Sequence, residues 1–565
     1  MVSMSWRVAS ISSDRVRWRS RDVVALTHFS WPTTLHMTLV VIALIITIHN
    51  VSTQVVLIFR LGGAWPPQRG FEILSDRAQS GSVITADEIE QELALLCRLK
   101  SRVTGTAEHD ELIEHIDDQL TKAGLNVRSD TLRFTRWHAS SEGSSALRVS
   151  DRPVPIASVV PYSGVTGPGG TTGELVRLRG PAPAWKKARG KIAVVEVRNF
   201  RFPFSAVVGA WGRDSPWPVV RNPLIASTLA GLGLARARKA GVSAVIFVWC
   251  NISDDNARGQ YLPFTLGYQG VPAIFVSGTA GDTVLAAASE GEQASVVLDY
   301  QLAPNTTTRT IWTVIEGTSR PDETVLVVTH TDGVNVIEEN GHIAAVAMAR
   351  AAALNPPERT TVFIFTSGHM RIPAVTSKGQ ATQRFLRDHP EVWAGGHGQR
   401  RAVAGLAVEH LGARELVDDP VTNTLRATGR IEPELLYATT PELAQLASQK
   451  WHGVNRTLPR ISKPSPLIHF GEGEPLLHAG IPAISLVTAP LYLLAERSGD
   501  ETHLVDKAAL HRQVDNFERL YRHISSARID DLGHVSTPTN LARLLGIASL
   551  LKAVAVTKAL DLLGR

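Results

Sequence analysis

The sequence predicts an α/β protein with a mixed, mostly parallel central sheet flanked by helices. Three observations lead there. First, from about residue 308 apolar strands alternate with helical segments: "TRTIWTVIEG", "ETVLVVTH", "NGHIAAVAMARAAAL", "TTVFIFTSG", "RAVAGLAVEHLG". Strands apolar on both faces belong inside a sheet covered on two sides. Second, residues 151–302 change character: short Val/Ile-rich runs ("VPIASVV", "KIAVVEV", "SAVIFVW", "VPAIFVS", "ASVVLDY") lie between Gly and Pro, interrupted by one helical stretch, "IASTLAGLGLARARKAG". That reads as a β-rich module inserted into the α/β body. Third, polar clusters follow the late strands, where α/β enzymes keep their ligand crevice.

The elements follow in order. Before the apolar stretch "MTLVVIALIITI" at 37–48 stand Arg7, Arg15, Arg17, Arg19 and Arg21. Residues 37–59 reach the length of a span, and positive charge ahead of them predicts an amino end kept in the cytoplasm with the rest exported. The expectation is a single-pass membrane protein with its catalytic-like domain outside, a cleaved secreted form being the other outcome. Residues 1–61 thus form a basic segment and anchor, and 62–82, rich in Gly, Pro and polar residues, a linker. Residues 83–150 with 303–565 form the main domain, and 151–302 the insertion. "TADE" at 85–88 is a capping box opening a helix to about Leu99. Leu112, Ile113, Ile116 and Leu120 mark a second helix ended at Gly124, and "NVRSDTLRF" alternates like a strand.

Composition narrows the function. Hydrophobic residues are 44% and charged residues 20% of 565, which is globular usage. The net charge of +5 comes without a Lys/Arg stripe interleaved with aromatics, so no nucleic acid partner is expected. Two isolated cysteines, Cys97 and Cys250, form neither a disulfide scaffold nor a Cys-type zinc site. No nucleophile elbow, phosphate loop or strand-linked dinucleotide fingerprint appears.

Chemistry resides in the four clusters: His330 and Asp332 in "VLVVTHTDG", Glu338 and Glu339 in "NVIEENG", His369 in "FIFTSGHM", Glu409 and His410 in "LAVEHLG". His, Asp and Glu converging at strand ends suit a metal such as zinc. In His-x-Asp, one imidazole nitrogen can bind the ion while a carboxylate holds the other N–H.

The order strand–"HTD"–"EENG"–helix–strand–"SGH"–strand–"EHLG" resembles the co-catalytic zinc exopeptidases, the family of secreted bacterial aminopeptidases and glutamate carboxypeptidases. "RVTGTAEHDELIEHIDDQLTKAGLNV" is similar to that family's opening helix and strand, and "HAGIPAISL" to its late strand. The insertion resembles a protease-associated domain. The resemblance implies that His330 binds the first metal, Asp332 orients it, Glu339 stands at the bridging aspartate and Glu409 at the aspartate completing the first site. His369 stands where the family has its general-base glutamate, and Met370 where a glutamate binds the second metal. A thioether is a poor zinc ligand, and after Tyr492 comes Leu493 instead of the late histidine. The implied centre is therefore one zinc per chain on His330, Glu339 and Glu409, with His369 or Glu338 moving the proton. The implied activity is hydrolysis of a peptide or amide. The competing expectation is a catalytically inactive ectodomain that binds a partner; a one-zinc acyl-transfer enzyme is a third.

Overall fold

The computed structural model describes residues 81–536, apart from 142, 181, 212–218, 376–379, 454–459 and 466–468, with 544, 546, 548 and 552 beyond. The chain divides into two units, Met1–Pro67 and Gln68–Arg565; everything below concerns the second. The expected membrane segment lies outside the described residues. Among the described residues no helix is long and apolar enough to cross a membrane.

The body is a nine-stranded sheet. Its middle is parallel: Arg359–Thr366, Arg320–His330, Arg401–Val408 and Ala483–Leu486 lie side by side. Both flanks are antiparallel, with Tyr300–Ile315 and Val127–Ala139 on one side and Leu435–Ala438 on the other. The expected mostly parallel sheet is thus mixed: parallel through its centre and again between Leu435–Ala438 and Arg460–Pro464, antiparallel at the other joins. The reason is in the sequence: the flanking strand Val127–Ala139 alternates buried and exposed residues over part of its length, the mark of a strand with one wet face, whereas the central strands are buried continuously once past their amino ends.

Period-two alternation sends Val325, Val327, Phe363, Phe365 and Leu406 to one face. There the helices Ala86–Leu99, Ala107–Lys122, Gly341–Leu354 and Lys507–Ser526 cover them. Leu326, Val328, Val362 and Ile364 go to the other, under Phe385, Leu386 and Leu476. The capping box forms: the Thr85 amide donates to Glu88 Oε2 at 2.7 Å and the Glu88 amide to Thr85 Oγ1 at 3.2 Å. Gly341 begins a helix that starts hard against the sheet; a Cβ there would stand 2.0 Å from the Val408 carbonyl oxygen and 2.4 Å from Thr329 Oγ1. Only glycine lets that helix start where it does.

A second, eight-stranded sheet takes its strands from Ser145–Val149 through Gln293–Leu298, so Ser145–Val149, which precedes the expected insertion, is part of it. Thr171–Leu178, Ile192–Arg198, Ala244–Cys250 and Ala273–Val276 run parallel. The single helix expected in "IASTLAGLGLARARKAG" is two, Pro223–Gly231 and Leu234–Ala240. The chain breaks at Gly231–Gly233 because Trp185 takes the room: a Cβ on Gly233 would lie 2.8 Å from its ring. The insertion also returns to the body. Val208–Ala210 adds an edge strand to the first sheet.

Candidate metal centre

Three of the four parallel central strands deliver polar clusters to one place. His330 ends its own strand, and Glu409 and His410 follow Arg401–Val408. His369 follows Arg359–Thr366 across a left-handed glycine, Gly368, and Glu338 precedes the Gly341–Leu354 helix. All are nearly sealed from water, the most open being His369 at 5%.

Two groups of potential ligand atoms each fall within 4.8 Å of one another: His330, Glu409 and His410, and His330, Glu338 and His369. Both imidazoles of the first group are pinned in the same way. His330 Nδ1–H donates to the Asp332 main-chain carbonyl at 2.8 Å, and His410 Nδ1–H to the Thr488 carbonyl at 2.8 Å. Each therefore turns Nε2 into the centre. Glu409 Oε2 lies 3.8 Å from His330 Nε2 and 3.9 Å from His410 Nε2. Glu338 Oε2 lies 3.8 Å from His410 Nε2 and its Oε1 3.9 Å from His369 Nε2. Glu338 Oε2, Glu409 Oε2 and His410 Nε2 are buried without a hydrogen-bond partner.

Electrostatics follow from burial. Burial, with His369⁺ alongside, lowers the His330 imidazole to about 3, and burial holds His410 well below its ordinary value. Burial pushes Glu409 up to about 8 and Glu338 well above the carboxylate range. His369 goes the other way. Burial opposes its charge, but its Nδ1 donates to buried Glu472 at 2.7 Å, and with Glu338 and Glu409 nearby it rises to about 9. Its ring stacks on His330 with centroids 4.0 Å apart. His410 adopts φ 57°, a strained conformation for a non-glycine residue of the kind that clusters at functional sites.

Of the expected residues, His330, Glu409, Glu338 and His369 meet. Glu339 does not. Its Oε1 accepts from His342 Nδ1 at 2.9 Å and its Oε2 faces Arg102 Nε at 3.5 Å without a hydrogen bond, so this adjacent carboxylate stands between two other buried cations. His410, not Glu339, has a ligand atom within 4.8 Å of those of His330 and Glu409. Asp332 also acts differently. Its main-chain oxygen orients His330, while its carboxylate accepts from the amides of Gly368 at 3.2 Å, His369 at 3.1 Å and Met370 at 2.8 Å. It builds the turn that carries His369. Met370 packs with Leu262, Phe264, Val334 and Leu494, as an apolar side chain does. His503 is bonded to its own loop, at the Asp500 carbonyl.

Sequence reasoning passed over Glu472. It accepts from the Ala381 and Thr382 amides as well as His369, and its own amide donates to Glu409 Oε1 at 2.5 Å. It sits in "GEGE", between Gly471 at φ 76°, where a Cβ would meet Glu409 Oε1 at 2.5 Å, and Gly473. An acidic residue between two glycines just before a core strand was the available signal. The roof comes from the insertion, whose Phe264 stacks on His369 with centroids 5.7 Å apart.

No protein-family model matches the chain, and no curated protein matches it. Solved structures do. An aminopeptidase from Aneurinibacillus sp. strain AM-1 superposes with TM-score 0.52 at 16% identity, over 78% of this chain and 93% of that one. BSAP, a zinc aminopeptidase from Bacillus subtilis, gives 0.53 at 15%, over 79% and 97%. A peptidase M28 precursor from Shewanella amazonensis SB2B gives 0.54 at 15%, over 78% and 93%. With its mixed sheet, covering helices and polar strand ends, this chain has the fold of the zinc exopeptidases.

Proposed function

We propose that the chain is a metal-dependent hydrolase of peptide or amide bonds that uses one divalent ion, zinc by the chemistry of its ligands. One observation carries this reading: two buried imidazoles, each with Nδ1 held by a main-chain carbonyl, aim Nε2 at the orphaned Glu409 Oε2. A fixed tautomer held from behind is how zinc-ligating histidines are prepared, and two His with one Glu plus an open position is a catalytic zinc set. Zn–N and Zn–O bonds of that class place neighbouring ligand atoms about 3.4 Å apart in a tetrahedron. The present 3.8 and 3.9 Å are within a small side-chain adjustment. His330 belongs to both ligand groups but offers a single free nitrogen, which favours one ion over two.

A bound zinc would activate water and polarise a carbonyl. The chain's own residues supply the rest. Glu338, with its Oε2 facing His410, is placed to take the proton from water and deliver it to the leaving amine once the charge of a bound cation offsets the burial that otherwise keeps its carboxyl protonated. His369, kept cationic by Glu472, presents Nε2–H where negative charge develops on the carbonyl oxygen. Asp332 acts through His369, by fixing the turn on which it stands.

The experiment is elemental analysis of purified chain together with turnover of aminoacyl and N-acyl amides. About one zinc per chain, lost in His410→Ala but retained in Glu339→Gln, is the expected result. No bound metal, with unchanged melting in chelator, defeats the proposal.

The closure of the centre favours a second reading, a catalytically inactive peptidase-like ectodomain serving as a binding module. Absent turnover with metal retained would select it. The protease-associated identity of the insertion and the exported, membrane-anchored placement rest on the insertion's strand–helix–strand rhythm and on the arginines before the apolar run at 37–59. A protease-protection assay on intact cells tests the latter.

A further inference from the structure

The second sheet repeats the geometry of the first on a smaller scale, and its carboxyl edge also opens into a cavity. The parallel strands Thr171–Leu178, Ile192–Arg198 and Ala244–Cys250 end at a crevice of about 860 Å³. That is within the size range of small-molecule sites. Its apolar wall is made by Leu178, Trp185, Phe200, Leu229 and Phe247. Leu229 is 38% exposed, so the apolar surface continues to the mouth. Arg177, Arg179, Arg198 and Arg236 also line it. Glu196 neutralises Arg177, at 2.5 Å. Arg179, Arg198 and Arg236 are exposed and, among the described residues, pair with no carboxylate.

We propose that this crevice binds a small amphipathic anion: a carboxylate whose extended apolar tail lies along Trp185, Phe200 and Leu229 and whose head is held by Arg179, Arg198 and Arg236. The argument is charge complementarity over an apolar wall. Guanidinium forks match a carboxylate in plane and in charge, and among the described residues the only acidic side chain lining the crevice, Glu196, already has its partner. An uncharged lipid would leave the three arginines without a counter-ion. An inorganic anion would leave the apolar wall wet. The placement outside the carboxyl ends of parallel strands is where open α/β sheets bind ligands. None of these residues belongs to the candidate metal centre, so the two proposals stand or fall separately.

Calorimetric titration of the full chain tests it, with dodecanoate and dodecanol as probes below their aggregation limits. Dodecanoate should bind in the micromolar range, more weakly at high salt, and dodecanol at least about tenfold more weakly. Arg198→Ala/Arg236→Ala should weaken dodecanoate at least about tenfold, and Arg198→Lys/Arg236→Lys should restore part of the loss. Ala230→Trp, which narrows the crevice along its apolar wall and leaves every charge, should weaken binding at least about tenfold. Melting temperature monitors folding of each variant. Equal affinity for the two probes, undiminished binding in Ala230→Trp, or binding of an acidic peptide without dodecanoate would each overturn the proposal.

Discussion

The carboxyl edges of the two sheets are built alike and chemically opposed. On the first, Glu338, Glu409 and His410 are buried, each with one atom that bonds to nothing, and His330 is buried beside them. On the second, Arg179, Arg198 and Arg236 stand in water. An unsatisfied polar group costs free energy only when water cannot reach it. The first edge is therefore under electrostatic tension that a cation would relieve. The second is at rest without a ligand and gains only on binding. Topology makes both places available; burial decides which must be filled.

That contrast can be broken most forcefully at Arg102, which is fully buried and faces Glu339. Arg102→Met leaves the buried Glu339 with His342 alone and removes the Arg102 hydrogen bonds to the Leu96 and Asn335 carbonyls, and should cost about 3–5 kcal/mol in denaturant unfolding. Adding Glu339→Gln should recover a good part of it; a single variant of unchanged stability would show that this buried ion pair does not hold the turn. Next is Glu409→Gln, expected to lower metal affinity at least about 100-fold while leaving the melting temperature in chelator unchanged or raised, since it removes a buried acid. Isothermal titration with zinc reads the first quantity, and a strong loss of apo stability would contradict the second.

The pH dependence sharpens the comparison. Glu409 titrates near 8 in the folded chain, and His342, held by Glu339 and Glu92 against the effect of burial, near 9. Both hold protons more tightly folded than unfolded, so their contribution is full at low pH and lost as pH rises, while His330 and His410, lowered by burial, act the other way below about pH 6.5. Chelated protein should therefore melt progressively lower from about pH 7 to pH 9, and zinc should reverse the trend by replacing the proton on Glu409. A flat profile in chelator would show these acids to be hydrated. More subtly, Glu472→Gln removes the partner that raises His369. The alkaline limit of turnover should move down from near 9 toward the ordinary histidine range, with KM little changed. At the small end, Arg198→Ala should shift the melting temperature by no more than about a degree, because an exposed, unpaired side chain contributes little.

Much of this molecule was legible in the chain. Apolar runs with period two located the central strands, "TADE" announced its helix, and strand-end clusters pointed to the crevice. The sequence did not reveal which of two adjacent glutamates enters the centre. Glu338 and Glu339 differ by one position on a turn and diverge in direction; the choice is made by Arg102, reached through another part of the fold. Nor did it show that the Asp332 carboxylate would serve the Gly368–Met370 amides instead of the histidine two residues before it. Glu472 was invisible because its role comes from the glycine-shaped loop that folds over Glu409.

By itself, then, the sequence determined the α/β body, its interruption by a β-rich insertion and the strand ends where chemistry gathers, because hydrophobic periodicity and turn residues act over short stretches of chain. Tertiary structure alone decided the membership and protonation of the centre. Those depend on which distant groups share a water-free space, and desolvation and charge pairing act through space, not along the chain.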